Sequence, residues 1–131
     1  MARLKDKTRK YDLEDRLVDF SVRIINVVET LPNTRAGNHI AGQLVRSGTA
    51  AAPNYGEAQS AESRKDFIHK MKVALKELRE TQIWLKIVQR KILAKHKKKL
   101  EPLMDECDEL VSIFVASIRT AEKNKVPKKG K

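Results

Sequence analysis

From residue 64 to residue 94 apolar side chains recur at the spacing of an α-helix, and no glycine or proline interrupts them. Phe67, Met71, Ala74, Leu78, Leu85, Val88 and Ile92 make one stripe, which Ile68, Leu75, Ile83, Trp84 and Ile87 widen. At 1.5 Å per residue such a helix runs roughly 46 Å. Ser63 and Asp66 open it as a capping pair of the S-x-x-D kind. A helix this long, apolar beyond what one partner helix can cover, must pack among several others. The excess width also suggests association between copies.

The rest of the chain supplies those partners. Asp12 suits an N-cap, and Leu13, Leu17, Phe20, Ile24, Val27, Val28 and Leu31 follow at helical spacing until Pro32 and Asn33. Thr34 can cap a second helix, with Ile40, Leu44, Gly48, Ala51 and Tyr55 inward. Its many small residues allow close approach, and Pro53 predicts a kink or an early end. After the lysine run around His96, Pro102 fits the first turn of a fourth helix. Leu103, Cys107, Leu110, Val111, Phe114 and Ile118 carry its apolar face. The expected fold is all-α, an up-down-up-down antiparallel four-helix bundle over 12–122, with basic tails at 1–11 and 123–131, the second disordered. With 131 residues, five glycines and four prolines, the chain has one domain's length and too little punctuation for an all-β fold.

No apolar run approaches the roughly 18 residues that span a bilayer, so no membrane role is expected. No signal-peptide stretch follows the basic start, which makes the cytoplasm the expected compartment. Cys107, the single cysteine, fits a reducing compartment.

Charge is the main functional clue. The chain carries +11, and three segments hold more than that total, leaving a slightly acidic body. They are Arg3, Lys5, Lys7, Arg9 and Lys10; then Lys91, Lys95, Lys97, Lys98 and Lys99; then Lys123, Lys125, Lys128, Lys129 and Lys131. In an up-down bundle both termini emerge at one end, where their lysines would draw polyphosphate backbones through counterion release. The plainer alternative is a scaffold oligomer whose tails only confer solubility.

Catalytic chemistry finds no foothold, and no enzyme activity or cofactor is expected. No Glu-x-x-His pair is present for a di-iron centre, and His39, His69 and His96 lie in three separate segments. Cys107 sits on an apolar stripe, where cysteine is core filler. The polar set of greatest interest is Arg46, Asn54, Glu57, Glu80 and Trp84. It reads as a structural or subunit-interface network before it reads as a ligand site.

The stretch LPNTRAGNHIAGQLVRSGTAAAPNYGEAQSAESRKDFIHKMKVALKELRETQIWL resembles a known family. Its landmarks are Gln43 to Ser47, Asn54, Glu57, Asp66-Phe67, Ala74-Leu75, Glu80 and Trp84. The family comprises four-helix-bundle proteins named after the reading frame in 23S rRNA intervening sequences. Ala50 and Pro53 depart from its usual pattern. The resemblance implies a left-handed bundle that assembles as a homo-oligomeric ring, a pentamer in the expected form, with no established activity. Distant relatives are accessory subunits of reverse transcriptases in retroelements, where a basic ring contacts nucleic acid. Nucleic acid, RNA or DNA, and further copies of the chain are therefore the expected partners.

Overall fold

A computed structural model describes residues 12–91 and 97–129, with side chains described for 12–91 and 98–124. The described residues form five helical segments and no strand: α1 (Leu13–Val28), α2 (Arg35–Gly48), α3 (Ala51–Gln59), α4 (Arg64–Lys91) and α5 (Lys97–Lys129). Segments α2 and α3 are two halves of one arm, so the protein is an all-α four-helix bundle.

Local chemistry sets the helix starts. Asp12 accepts the amide of Asp15 at 3.3 Å, Thr34 Oγ1 that of Gly37 at 3.0 Å, and Ser63 Oγ that of Asp66 at 3.0 Å. Each bond satisfies one donor that a helix N-terminus leaves without an intrahelical partner. Gly37 is held to glycine by its neighbour, since a Cβ there would lie 2.0 Å from the Pro32 carbonyl oxygen.

The kink expected at Pro53 falls four residues earlier, between Thr49 and Ala50. Proline offers no amide to the Thr49 carbonyl and its ring crowds that turn, so the distortion lands where the missing bond would end. Thr49 Oγ1 donates to the Val45 carbonyl at 2.7 Å, and Asn54 Nδ2 donates to the Ala50 carbonyl at 2.9 Å. Side chains thus cover carbonyls at the break.

One core joins all the arms. Leu17, Phe20 and Ile24 of α1 meet Leu44 of α2, Met71, Leu78 and Leu85 of α4, and Leu103, Leu110 and Phe114 of α5, all essentially inaccessible. Tyr55 meets Phe114 edge-on, with centroids 6.0 Å apart. Helix α1 packs on α2, α3 and α5, and α4 packs on the same three. These two helices therefore face each other across the core.

Contacts between helices run in opposite senses along paired arms. Ser47 meets Thr81 while Glu57 meets Lys70; Lys72 pairs with Glu122 while Gln82 bonds Asp108. One groove is bordered by Leu13 and Asn124, and another by Thr30 and Lys99.

Two boundaries differ from the sequence reading. The fourth helix begins at Lys97, so Lys97, Lys98 and Lys99 form its first turn rather than a loop, and Pro102 lies beyond that turn. Lysine is a good helix former, and Leu100, 2% exposed, anchors the extra turn in the core. At the other end α5 is helical through Lys129, which replaces the disordered tail expected from residue 123. Alanine, glutamate and lysine dominate 121–125 and favour helix, at the cost of one amide bond at Pro127. Lys95, His96 and the 1–11 tail lie outside the described residues.

Candidate functional site

Arg46 leaves α2 one position before the buried Ser47, and helix geometry turns it outward toward α4. Its Nη1 donates to Glu77 Oε1 at 3.3 Å, and its Nη2 donates to Glu80 Oε2 and to Gln43 Oε1. Trp84 Nε1 donates to the same Glu80 Oε2 at 3.2 Å. His39 lies edge-on to the indole, its ring centroid 5.9 Å away. The cluster therefore joins Arg46, Glu80 and Trp84 and adds Gln43, Glu77 and His39.

Asn54 and Glu57 stand apart from it. Asn54 is occupied at the helix break, and Glu57 pairs with Lys70 at 2.7 Å, which holds the lysine's pKa above its usual value. Register explains the split. Arg46 on α2 lies level with Glu77 and Glu80 on α4, whereas Glu57 lies level with Lys70, roughly two turns nearer the start of α4. Sequence spacing alone does not set that register. The signal available in advance was Glu77, Glu80 and Trp84 at i, i+3 and i+7 on one helix.

The cluster is a surface feature of the single chain. The Arg46 side chain is 52% exposed, while Glu77 and Glu80 are 14% and 31% exposed. Pairs this wet contribute about 0–1 kcal/mol each. Beneath it, the hydroxyls of Ser47 and Thr81 lie 2.9 Å apart, both inaccessible, and Thr81 also donates to the Glu77 carbonyl at 2.8 Å. This pair ties α2 to α4 and is closed to substrate.

Other reactive groups are committed too. Cys107 is buried with Sγ 3.5 Å from the Leu78 carbonyl oxygen. Burial first, then the charges of Asp108 and Glu106, push its thiol up to about 12. Arg16 bonds Glu106 and Glu109, both at 2.8 Å, and these partners hold its guanidinium charged. Among the described residues no three His, Cys, Asp or Glu side chains are grouped to hold a metal ion. None of the helices described is long and apolar enough to cross a membrane.

The basic residues fall into three positions. Lys98 and Lys99 are exposed in the first turn of α5, which Lys97 heads. Lys123 is exposed near the other end of α5, and Lys125, Lys128 and Lys129 continue that helix. Arg3, Lys5, Lys7, Arg9, Lys10, Lys95 and Lys131 lie outside the described residues. A fourth position was missed by counting charge along the chain. Helix α4 carries nine basic residues against three acidic ones, with Lys76, Arg79, Lys86 and Arg90 exposed. Only folding this segment onto a helical wheel gathers them on one face.

A groove of about 1000 Å³ opens between the start of α1, the α3–α4 turn and the late part of α5. Arg64 lines it, and one of its guanidinium nitrogens, Nη1, is buried without a hydrogen-bond partner.

Together these observations define a small helical-bundle protein whose surface chemistry is ion pairing and whose buried thiol and hydroxyls serve packing. Residues 9–116 match the family model described as 23S rRNA-intervening sequence protein, and the chain belongs to that family. It is also similar to a solved structure from Bacteroides thetaiotaomicron, a protein of unknown function from the S23 ribosomal protein family. The two share 33% identity over 80% of this chain and 96% of that one, with a TM-score of 0.73. A search of curated proteins finds no match.

Proposed function

We propose that this protein is a non-enzymatic, ring-forming homo-oligomer of up-down-up-down antiparallel bundles that binds nucleic acid through its basic ends. The opposed senses of the interhelical contacts support the antiparallel arrangement, as do the short connections between arms. The nucleic-acid reading is carried by one placement. The start of α1 and the late part of α5 border the same groove, so the helix ends next to the two lysine-rich stretches of sequence lie together. Continuation of α5 through Lys129 keeps part of that charge on a helix rather than a loose chain. A ring of copies multiplies the charge around one rim, where it neutralises phosphates without reading bases. In this reading the protein is an accessory to a nucleic-acid enzyme such as a reverse transcriptase, with a pentamer the favoured assembly and the cytoplasm its compartment.

A salt titration of binding to unrelated RNA and DNA oligonucleotides tests it. Each phosphate neutralised should add about −0.9 to the slope of log affinity against log salt for duplex DNA, and about −0.7 for single strands. Deleting residues 123–131 should flatten that slope and weaken binding equally across sequences. Folding should survive, because among the side chains described Ile118 is the last buried one of α5. Unchanged affinity and slope in the truncated protein would instead support the scaffold with solubilising ends.

A further inference from the structure

Among the described residues five large aliphatic side chains stand exposed, and they form two stripes. Val18, Val22 and Ile25 on α1 are 46%, 48% and 38% exposed; Ile83 and Ile87 on α4 are 54% and 38% exposed. Spacings of three and four residues place each set on one helix face. The charges around the stripes have opposite signs. Glu14, Asp19 and Glu29 flank the α1 stripe, whereas Lys76, Arg79, Lys86 and Arg90 flank the α4 stripe, all exposed. Glu80, the acid nearest Ile83 on its helix face, is taken by Arg46 and Trp84.

Because α1 and α4 share their neighbours and face each other across the core, their outer faces point away from one another. The stripes cannot meet within one chain.

We propose that they meet between copies. Helix α1 of one protomer lies along α4 of the next, so that Val18, Val22 and Ile25 cover Ile83 and Ile87. Glu14, Asp19 and Glu29 then face the α4 cations. The charged flanks match in length, about 22 Å from residue 14 to 29 and about 21 Å from 76 to 90 at helical rise. Pairing α1 with α1, or α4 with α4, would set like charges against each other, which disfavours a symmetric dimer. The contact is therefore heterologous, and it closes a ring when the rotation per step divides a full turn. This seam rests on the self-assembly proposed above and names the surfaces that build it.

The test uses the full chain and the variants Val22→Asp and Ile83→Asp, each with circular dichroism to confirm helicity. In sedimentation velocity at micromolar concentration the wild-type protein should run as a multiple of 15.0 kDa larger than a dimer. Each variant alone should fall to 15.0 kDa. Mixed, the two should form only a one-to-one dimer, because the first keeps its α4 face and the second its α1 face. Should Val22→Asp lose helicity, the pair Glu14→Lys and Asp19→Lys replaces it with the same expectation. If both variants kept the wild-type mass, the seam would be overturned while self-assembly stood. A wild-type monomer would overturn both. Variants that kept the assembly but bound nucleic acid more weakly would make the α4 face a nucleic-acid surface, which also overturns the seam.

Discussion

Gly48 governs how closely α1 and α2 approach, because a Cβ there would lie 2.6 Å from Ile24 Cγ2. Alanine for glycine in a helix gains about 0.5–1 kcal/mol, whereas forcing a group into a packed core costs about 1–3 kcal/mol. Gly48→Ala should therefore lower the thermal midpoint, and its cost should shrink in an Ile24→Ala background, which lacks the Cγ1 and Cγ2 atoms that crowd the new methyl. A Gly48→Ala protein more stable than wild type would mean that the helix contact yields easily. Cys107 gives a second residue-scale test. Its raised pKa favours the protonated thiol in the folded state, so this contribution is complete below the unfolded value of about 8.5 and is lost as pH rises toward 12. Iodoacetamide at pH 8 should label it only at the rate of unfolding. Between pH 9 and 11 the wild-type midpoint should fall more steeply than that of Cys107→Ala. The burial of this cysteine was legible from its apolar stripe. The partners of Arg46 were not, since they depend on how α2 and α4 slide along each other.

At the scale of elements, capping chemistry and apolar period carried most of the information. Asp12, Thr34 and Ser63 open the helices they were expected to open, and the inward stripe from Leu103 to Ile118 is buried throughout. What escaped was the pair of ends where lysine stands. A charge run reads as loop or tail by composition, yet lysine favours helix, and Leu100 made the extra turn worth forming. The three lysines that begin α5 oppose the positive end of its dipole. Lys98→Glu and Lys99→Glu should each raise stability by about 0.3–1 kcal/mol, measured by urea unfolding. Core substitutions act on a larger scale. Leu78→Ala should cost about 2–5 kcal/mol, and Leu78→Asp or Phe114→Asp, by burying an unpaired charge, should abolish the cooperative helical melt. A normal melt in either aspartate variant would refute the core as described.

For the whole molecule, the fold class and the basic balance were readable in the sequence, whereas the arrangement of charge within the body was not. Summed along the chain the body is slightly acidic, but folding separates an acidic α1 face from a basic α4 face on opposite corners. A linear window averages the two, and only the helical wheels and the packing order separate them. Exposed Ile83 and Ile87 are the part of the wide α4 stripe that the bundle leaves unused. Trp84, the single tryptophan, gives this surface its own optical gauge. Its indole is half-buried, bonded to Glu80, and adjacent in sequence to exposed Ile83, so its emission reads that corner of the molecule alone. Dilution that separates neighbouring copies should shift the emission to the red while the ellipticity at 222 nm, the standard helix band, stays constant. A shift that instead follows the loss of ellipticity would show the fluorophore sensing unfolding, with no neighbour beside it.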